Sequence, residues 1–183
     1  MPFEFDLKKA LQATAVLLRL AGTSRTANYM RLIKLLYLAD RRSLQETGRP
    51  ITGDRPVALE RGPVLGRVLD LIRGKHARSP EWARYVETDG YHVRLLEDPG
   101  NGELSPYEVE LLQAIWDEHR AKDEWDLVRE THELPEWKKN DPGSSSKPIP
   151  LADILEAVGR SGDLQAIEED ARQTSALNKL YGG

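Results

Sequence analysis

Between Arg31 and Asp40 the chain reads Arg-Leu-Ile-Lys-Leu-Leu-Tyr-Leu-Ala-Asp, and a helix through this run is apolar on nearly every face. Such a helix belongs in the middle of a bundle, because a surface helix keeps one polar side. Lys34 sits inside the run, where an unpaired ammonium is costly. Its side chain is expected to be shielded, with the ammonium snorkelling past the apolar surface or paired with a carboxylate such as Glu60 or Asp40. Downstream, Arg61-Gly62-Pro63-Val64 is expected to open another helix, with Pro63 in its first turn, where the missing N–H was unpaired anyway.

The remaining segments supply further helices. Leu7, Ala10, Leu11, Thr14, Leu18 and Ala21 recur at helical spacing behind Asp6 as N-cap, and Gly22 ends that helix. The central helix is predicted from Thr26 to Thr47, stopped by Gly48 and Pro50. Residues 51–61 read as a loop with one extended piece, Val57-Ala58-Leu59. Leu65, Val68, Leu69 and Ile72 then stripe a helix closed by Gly74. Ser105 and Glu108 form a capping box with Pro106 at the first helical position, and Asp123 caps a helix running to about His132.

Between Arg84 and Leu96 the period changes, and two short alternating runs flank Asp89-Gly90, a signal for a two-residue hairpin turn. Asn140 to Pro148 holds Asp141-Pro142-Gly143 and three serines, which predicts a flexible connection over 140–149 leading to two C-terminal helices. The fold class that follows is mainly α: a compact multi-helix bundle with a small β-hairpin at about residues 84–96. Residues 1–183 are expected to form a single domain. Gly182-Gly183 reads as a frayed end and not as a ubiquitin-like tail, since that tail needs a small β-grasp body.

Composition removes several classes of function. With no cysteine in 183 residues, disulfides, thiolate metal sites and cysteine nucleophiles are all excluded. No stretch approaches the ~18 apolar residues that span a bilayer, and the start lacks the pattern of a secretory signal, so a cytoplasmic protein is expected. The four histidines, His76, His92, His119 and His132, form no pair at zinc-ligand spacing. No phosphate-binding glycine loop or nucleophile elbow occurs. No catalytic, cofactor-binding or metal site is therefore assigned.

Charge is divided along the chain. Residues 1–80 carry 15 Lys and Arg against 7 Asp and Glu, a net +8, while residues 81–183 carry 11 against 23, a net −12. Either the halves fold on each other and complement internally, or one face meets a nucleic acid or protein partner. Glu168, Glu169 and Asp170 read as a solvated helix face and, alternatively, as an acidic surface suited to a basic partner.

Several segments, in order, resemble the Panacea (SocA-like) antitoxin domain of bacterial and phage toxin–antitoxin operons. They are Leu32-Ile33-Lys34-Leu35-Leu36-Tyr37-Leu38-Ala39, Thr47-Gly48-Arg49-Pro50-Ile51, Arg61-Gly62-Pro63-Val64, and Leu104-Ser105-Pro106-Tyr107-Glu108 on to Trp116. Trp125-Asp126-Leu127-Val128, Thr131-His132 and Pro135-Glu136-Trp137 complete the set. The likeness runs from about Asn28 to Lys138. Members often carry an aromatic residue shortly before the Gly-Pro step, where this chain has Ala58-Leu59-Glu60-Arg61. The resemblance implies a protein-binding antitoxin without enzymatic activity or cofactor. It implies a cognate toxin as partner, neutralised by occlusion or delivered to an ATP-dependent protease. The motif positions it marks, structural or partner-contacting, are Lys34, Tyr37, Gly62, Pro63, Val64, Trp116, Trp125, Thr131, His132 and Trp137. The alternative is a small nucleic-acid-binding regulator of its own operon. Nucleic-acid binding itself is expected to be weak or absent, because no reader helix with clustered basic and amide residues is visible.

Overall fold

The computed structural model describes residues 2–181, so Gly182 and Gly183, and the reading of them as a frayed end, lie outside the described residues. Helix α1 (Leu7–Leu20) begins where Asp6 accepts a hydrogen bond from the Lys9 N–H. A short strand β1 (Thr26–Asn28) leads into α2 (Tyr29–Thr47), whose N-cap is Asn28 and whose C-cap is Gly48 at φ +79°. The central helix thus starts three residues later than Thr26. Thr26 to Asn28 are drawn into a sheet, and the Asn28 side chain caps the helix by accepting from the Met30 N–H.

Strands β2 (Pro56–Leu59) and β3 (Gly62–Leu65) form a hairpin turned at Glu60 and Arg61. The Gly-Pro-Val step is therefore a strand, not a helix start. Proline disfavours the α conformation of the residue before it, and an edge strand tolerates its missing N–H. β3 is such an edge, in a sheet ordered β3-β2-β6. Helix α3 (Gly66–Ile72) begins three residues beyond Pro63, and a remote carboxylate, Asp54, accepts from the Arg67 and Val68 N–H groups at its start.

A short α4 (Ser79–Trp82) precedes strands β4 (Val86–Asp89) and β5 (His92–Leu95), the expected hairpin. Its turn residues are Gly90 and Tyr91, one place on from Asp89-Gly90, since Asp89 pairs with His92. β1 adds to β5, which makes a three-stranded sheet ordered β1-β5-β4. The β content is therefore two small antiparallel sheets rather than one hairpin.

α5 (Pro106–His119) and α6 (Glu124–His132) both start with complete capping boxes, Ser105 with Glu108 and Asp123 with Asp126. α7 (Pro135–Lys139) follows directly. Within residues 140–149, Ser146–Pro148 form β6 and pair with β2, so this connection contributes a strand. α8 (Leu151–Ala157) and α9 (Leu164–Tyr181) close the chain.

α2 lies at the centre, against α1, α5, α6 and β3, as a helix apolar all round requires. Its residues Leu32, Leu35, Leu36 and Tyr37 sit in the main core beside Leu17 and Leu18 of α1 and Leu112 and Ile115 of α5. A second cluster seats Ile154, Leu155 and Ile167 of the last two helices against Leu44 and Ala58.

The charge division resolves at this level. Lys8 pairs with Glu103, Lys9 with Glu108, Arg19 with Asp98, Arg41 with Glu136, Arg42 with Glu118 and Arg49 with Asp170. Each pair joins the basic first half to the acidic second half, so much of the opposite excess is neutralised within the fold. No helix among the described residues is long and apolar enough to cross a membrane.

Candidate functional site

The β2–β3 hairpin lies across the middle of α2, and most of the motif positions meet there. Lys34 is 1% exposed, and its ammonium donates to the Pro63 carbonyl at 2.8 Å. No carboxylate lies within ion-pair distance of it among the described residues, so neither Glu60 nor Asp40 is its partner. Asp40 is committed elsewhere. Its carboxylate accepts from the Ile51 N–H, the Thr52 N–H and the Thr52 hydroxyl, which pins the loop after α2. Burial without a counter-charge brings the Lys34 pKa down to about 7. Burial likewise pushes Asp40 up to about 7, against the pull of its hydrogen bonds.

Gly62 permits this approach. It adopts φ +93°, and a Cβ there would lie 2.7 Å from Lys34 Nζ and 2.7 Å from Thr131 Oγ1. Only glycine meets both demands, the left-handed backbone and the empty space. Thr131 is fully buried and donates to the Leu127 carbonyl at 2.7 Å, so its hydroxyl already has an acceptor. His132 stacks on Trp137 at 4.1 Å between ring centroids, and Trp137 Nε1 donates to the Leu59 carbonyl at 3.0 Å. His132 Nε2 is buried and finds no hydrogen-bond partner among the described residues. Burial, and secondarily the Lys34 charge, lowers the His132 pKa.

One turn along α2, Tyr37 donates to Glu136 at 3.0 Å, and Arg41 holds the same carboxylate through Nε at 2.6 Å. The Pro135-Glu136-Trp137 tail is thus fastened twice: Glu136 to α2 and Trp137 to β2. Val64 is buried in the main core.

Two motif tryptophans stand outside this assembly. Trp116 is half-buried, with the Arg31 guanidinium over its ring at 4.4 Å. Arg31 also donates to the Lys122 and His119 carbonyls and so closes the end of α5. Trp125 is 46% exposed, with Arg61 of the hairpin turn 5.3 Å from its ring centroid.

A cleft of about 360 Å³ opens beside the hairpin, lined by residues that include Tyr29, Lys34, Glu60, Arg61, Gly62 and Arg73. No member of α9 lines it. On α9, Asp170 is held by Arg49 at 2.6 Å and Glu169 by Arg172 at 2.9 Å, so two of the three acids proposed as a partner surface already have cations. Residues not singled out from the sequence are Arg41 paired with the buried Glu136, and Arg61 and Arg73 as cations without ion pairs among the described residues. A carboxylate immediately before the final motif tryptophan carries no special signal, and the pairing appears only once α7 is folded against α2.

The model of the SocA-like antitoxin family, Panacea domain, matches residues 32–138. This span runs from α2 to α7 and contains every motif position above. No curated protein and no solved structure matches the chain. With more than half of its length covered, and with the motif residues assembled around one buried lysine, the chain belongs to the SocA-like, Panacea-domain family of antitoxins.

Proposed function

We propose that this protein binds and neutralises a toxin encoded beside it, by direct occlusion of the toxin. Delivery of the toxin to an ATP-dependent protease is the other route, and the work is set in the cytoplasm. The observation that carries the reading is the family match over residues 32–138. The groove beside Gly62 and Pro63 supports a contact surface on the β2–β3 side. It is open, it holds arginines without ion pairs among the described residues, and exposed Trp125 stands next to it, a residue type that anchors interfaces. The acidic face of α9 is the weaker candidate, because Arg49 and Arg172 already neutralise part of it. The reading is one of binding without a reaction: Lys34 is tied to a backbone carbonyl, and among the described residues no carboxylate lies within ion-pair distance of it to form an acid–base pair. The regulator reading loses electrostatic support, since first-half cations are engaged by second-half acids.

The test is co-expression with the neighbouring gene in a naive host. The neighbour alone is expected to arrest growth, and this protein to restore it. Rescue that persists in a host lacking its ATP-dependent proteases supports occlusion, and rescue that needs them supports delivery. A neighbour that is harmless, or whose toxicity is untouched by this protein, ends the antitoxin reading.

A further inference from the structure

The Lys34 ammonium has three donors and uses one, on the Pro63 carbonyl. A buried cation with one neutral acceptor is an unusual resting state, since buried charges are ordinarily paired. The cleft that Lys34 lines is also lined by Arg61 and Arg73, neither of which forms an ion pair among the described residues, and by a single carboxylate, Glu60. Two arginines and the Lys34 amine thus share a concave site with one acid.

A second groove continues from it. Tyr29 and Arg73 line both the cleft and a larger, mainly apolar hollow of about 1050 Å³ that includes Trp82, Tyr91 and Leu96. Tyr91 is 66% exposed and stacks on Tyr29 at 6.2 Å between centroids, and Leu96 is 49% exposed. Large apolar side chains left open along a groove mark contact with another molecule. Trp82 Nε1 is buried there without a hydrogen-bond partner among the described residues.

We infer that the Lys34 cleft receives an aspartate or glutamate side chain of the partner protein, with apolar neighbours of that residue lying along the Tyr91–Leu96 groove. The charge balance selects a carboxylate, and the adjoining apolar track selects one carried on a polypeptide rather than a free anion. This inference rests on the antitoxin reading for the identity of the partner as a toxin, though the cleft's preference for a carboxylate does not. A carboxylate at Lys34 stabilises its charged form, so occupation raises its titration midpoint. The titratable and charged groups around Lys34 are Glu60, Arg61 and Arg73, which line the same cleft, and His132, whose pKa the Lys34 charge helps to lower.

The experiment uses the full chain with isotope-labelled lysines, followed by NMR at the Lys34 Cε. The probes are acetyl-Phe-Glu-Leu-amide, acetyl-Phe-Gln-Leu-amide and inorganic phosphate. The glutamate peptide is expected to shift the Lys34 signal saturably and to raise its midpoint by about one pH unit, a tenfold stabilisation of the charged form. Arg61→Gln with Arg73→Gln should weaken that binding about tenfold, the scale of a charge-assisted hydrogen bond. Arg120→Gln, at a cation that lines neither groove, should leave it unchanged. Equal binding of the glutamine peptide, no response to any probe, or phosphate matching the glutamate peptide overturns the proposal; the last result makes the site one for small anions.

The co-expression assay separates this proposal from the antitoxin reading. If the wild-type protein rescues growth and Arg61→Glu with Arg73→Glu rescues equally well, the cleft proposal fails and the antitoxin reading stands. If the wild-type protein does not rescue, the antitoxin reading fails, and the peptide titration still decides the cleft.

Discussion

Replacing Lys34 by Met isolates the energetic consequence of a buried, carboxylate-free ammonium. Met keeps the length and the apolar stem of the side chain and removes the charge. In the folded protein the Lys34 pKa falls to about 7, from 10.5 in the unfolded chain. Between those values the unfolded chain holds one proton that the folded protein has released. Stability therefore rises with pH across this window, by about 1.4 kcal/mol per unit at the limiting slope. From pH 7.5 to 9.5 the gain is about 2–3 kcal/mol. The window is nearly clear of other shifted groups. Asp40, raised by burial to about 7, acts between about pH 4 and 7 with the opposite sign, and Asp54, also raised by burial, acts with that same sign. His132, lowered, acts below its ordinary 6.5, and Tyr37, raised well above 10, acts beyond the upper limit. Urea unfolding of both proteins at pH 7.5, 8.5 and 9.5 measures the slopes. Wild type should gain stability across the series, and Lys34→Met should be nearly flat. Equal slopes in the two proteins would mean that Lys34 titrates alike in the folded and unfolded states and that burial leaves its charge undisturbed.

Other perturbations test the assembly around α2. Gly62→Ala should cost about 3 kcal/mol, the sum of a left-handed non-glycine residue and an overpacked contact, read as a lowered urea midpoint. Glu136→Ala leaves Arg41 without its buried partner and Tyr37 without its acceptor, so a loss of about 3–5 kcal/mol is expected by the same assay. Trp125→Ala should change stability by less than about 0.5 kcal/mol, because the ring is already half in solvent, while weakening capture of the toxin on an affinity column.

What could be read from the sequence was local. Asp6, the Ser105–Glu108 box and Asp123 cap their helices as expected, because the groups involved lie within four residues of one another. The apolar run around Lys34 likewise identified the buried helix. What was misread depends on distant chain. Pro63 has a φ that suits both a helix start and an edge strand, and the choice is made by β2 and by β6, more than eighty residues further on. Thr26 to Asn28 leave the central helix only because β5 is there to pair with them. The Asp54 cap on α3 spans thirteen residues, so no local pattern announces it. At the candidate site the motif residues were legible and the partner of Lys34 was not. Its acceptor is a backbone carbonyl, which every residue carries, whereas the reading looked for a carboxylate. The divided charge was legible as an excess, and its six cross-pairs only in the fold.

Neutralisation by binding can be measured with the two purified proteins. The product of the adjacent toxic gene is mixed with increasing amounts of this protein, and the toxin's own activity is followed beside the mass of the species by light scattering. A complex of fixed stoichiometry is expected, with toxin activity falling to zero as the toxin is fully bound. A toxin that remains fully active and free in the presence of excess protein, with no protease added, would contradict it.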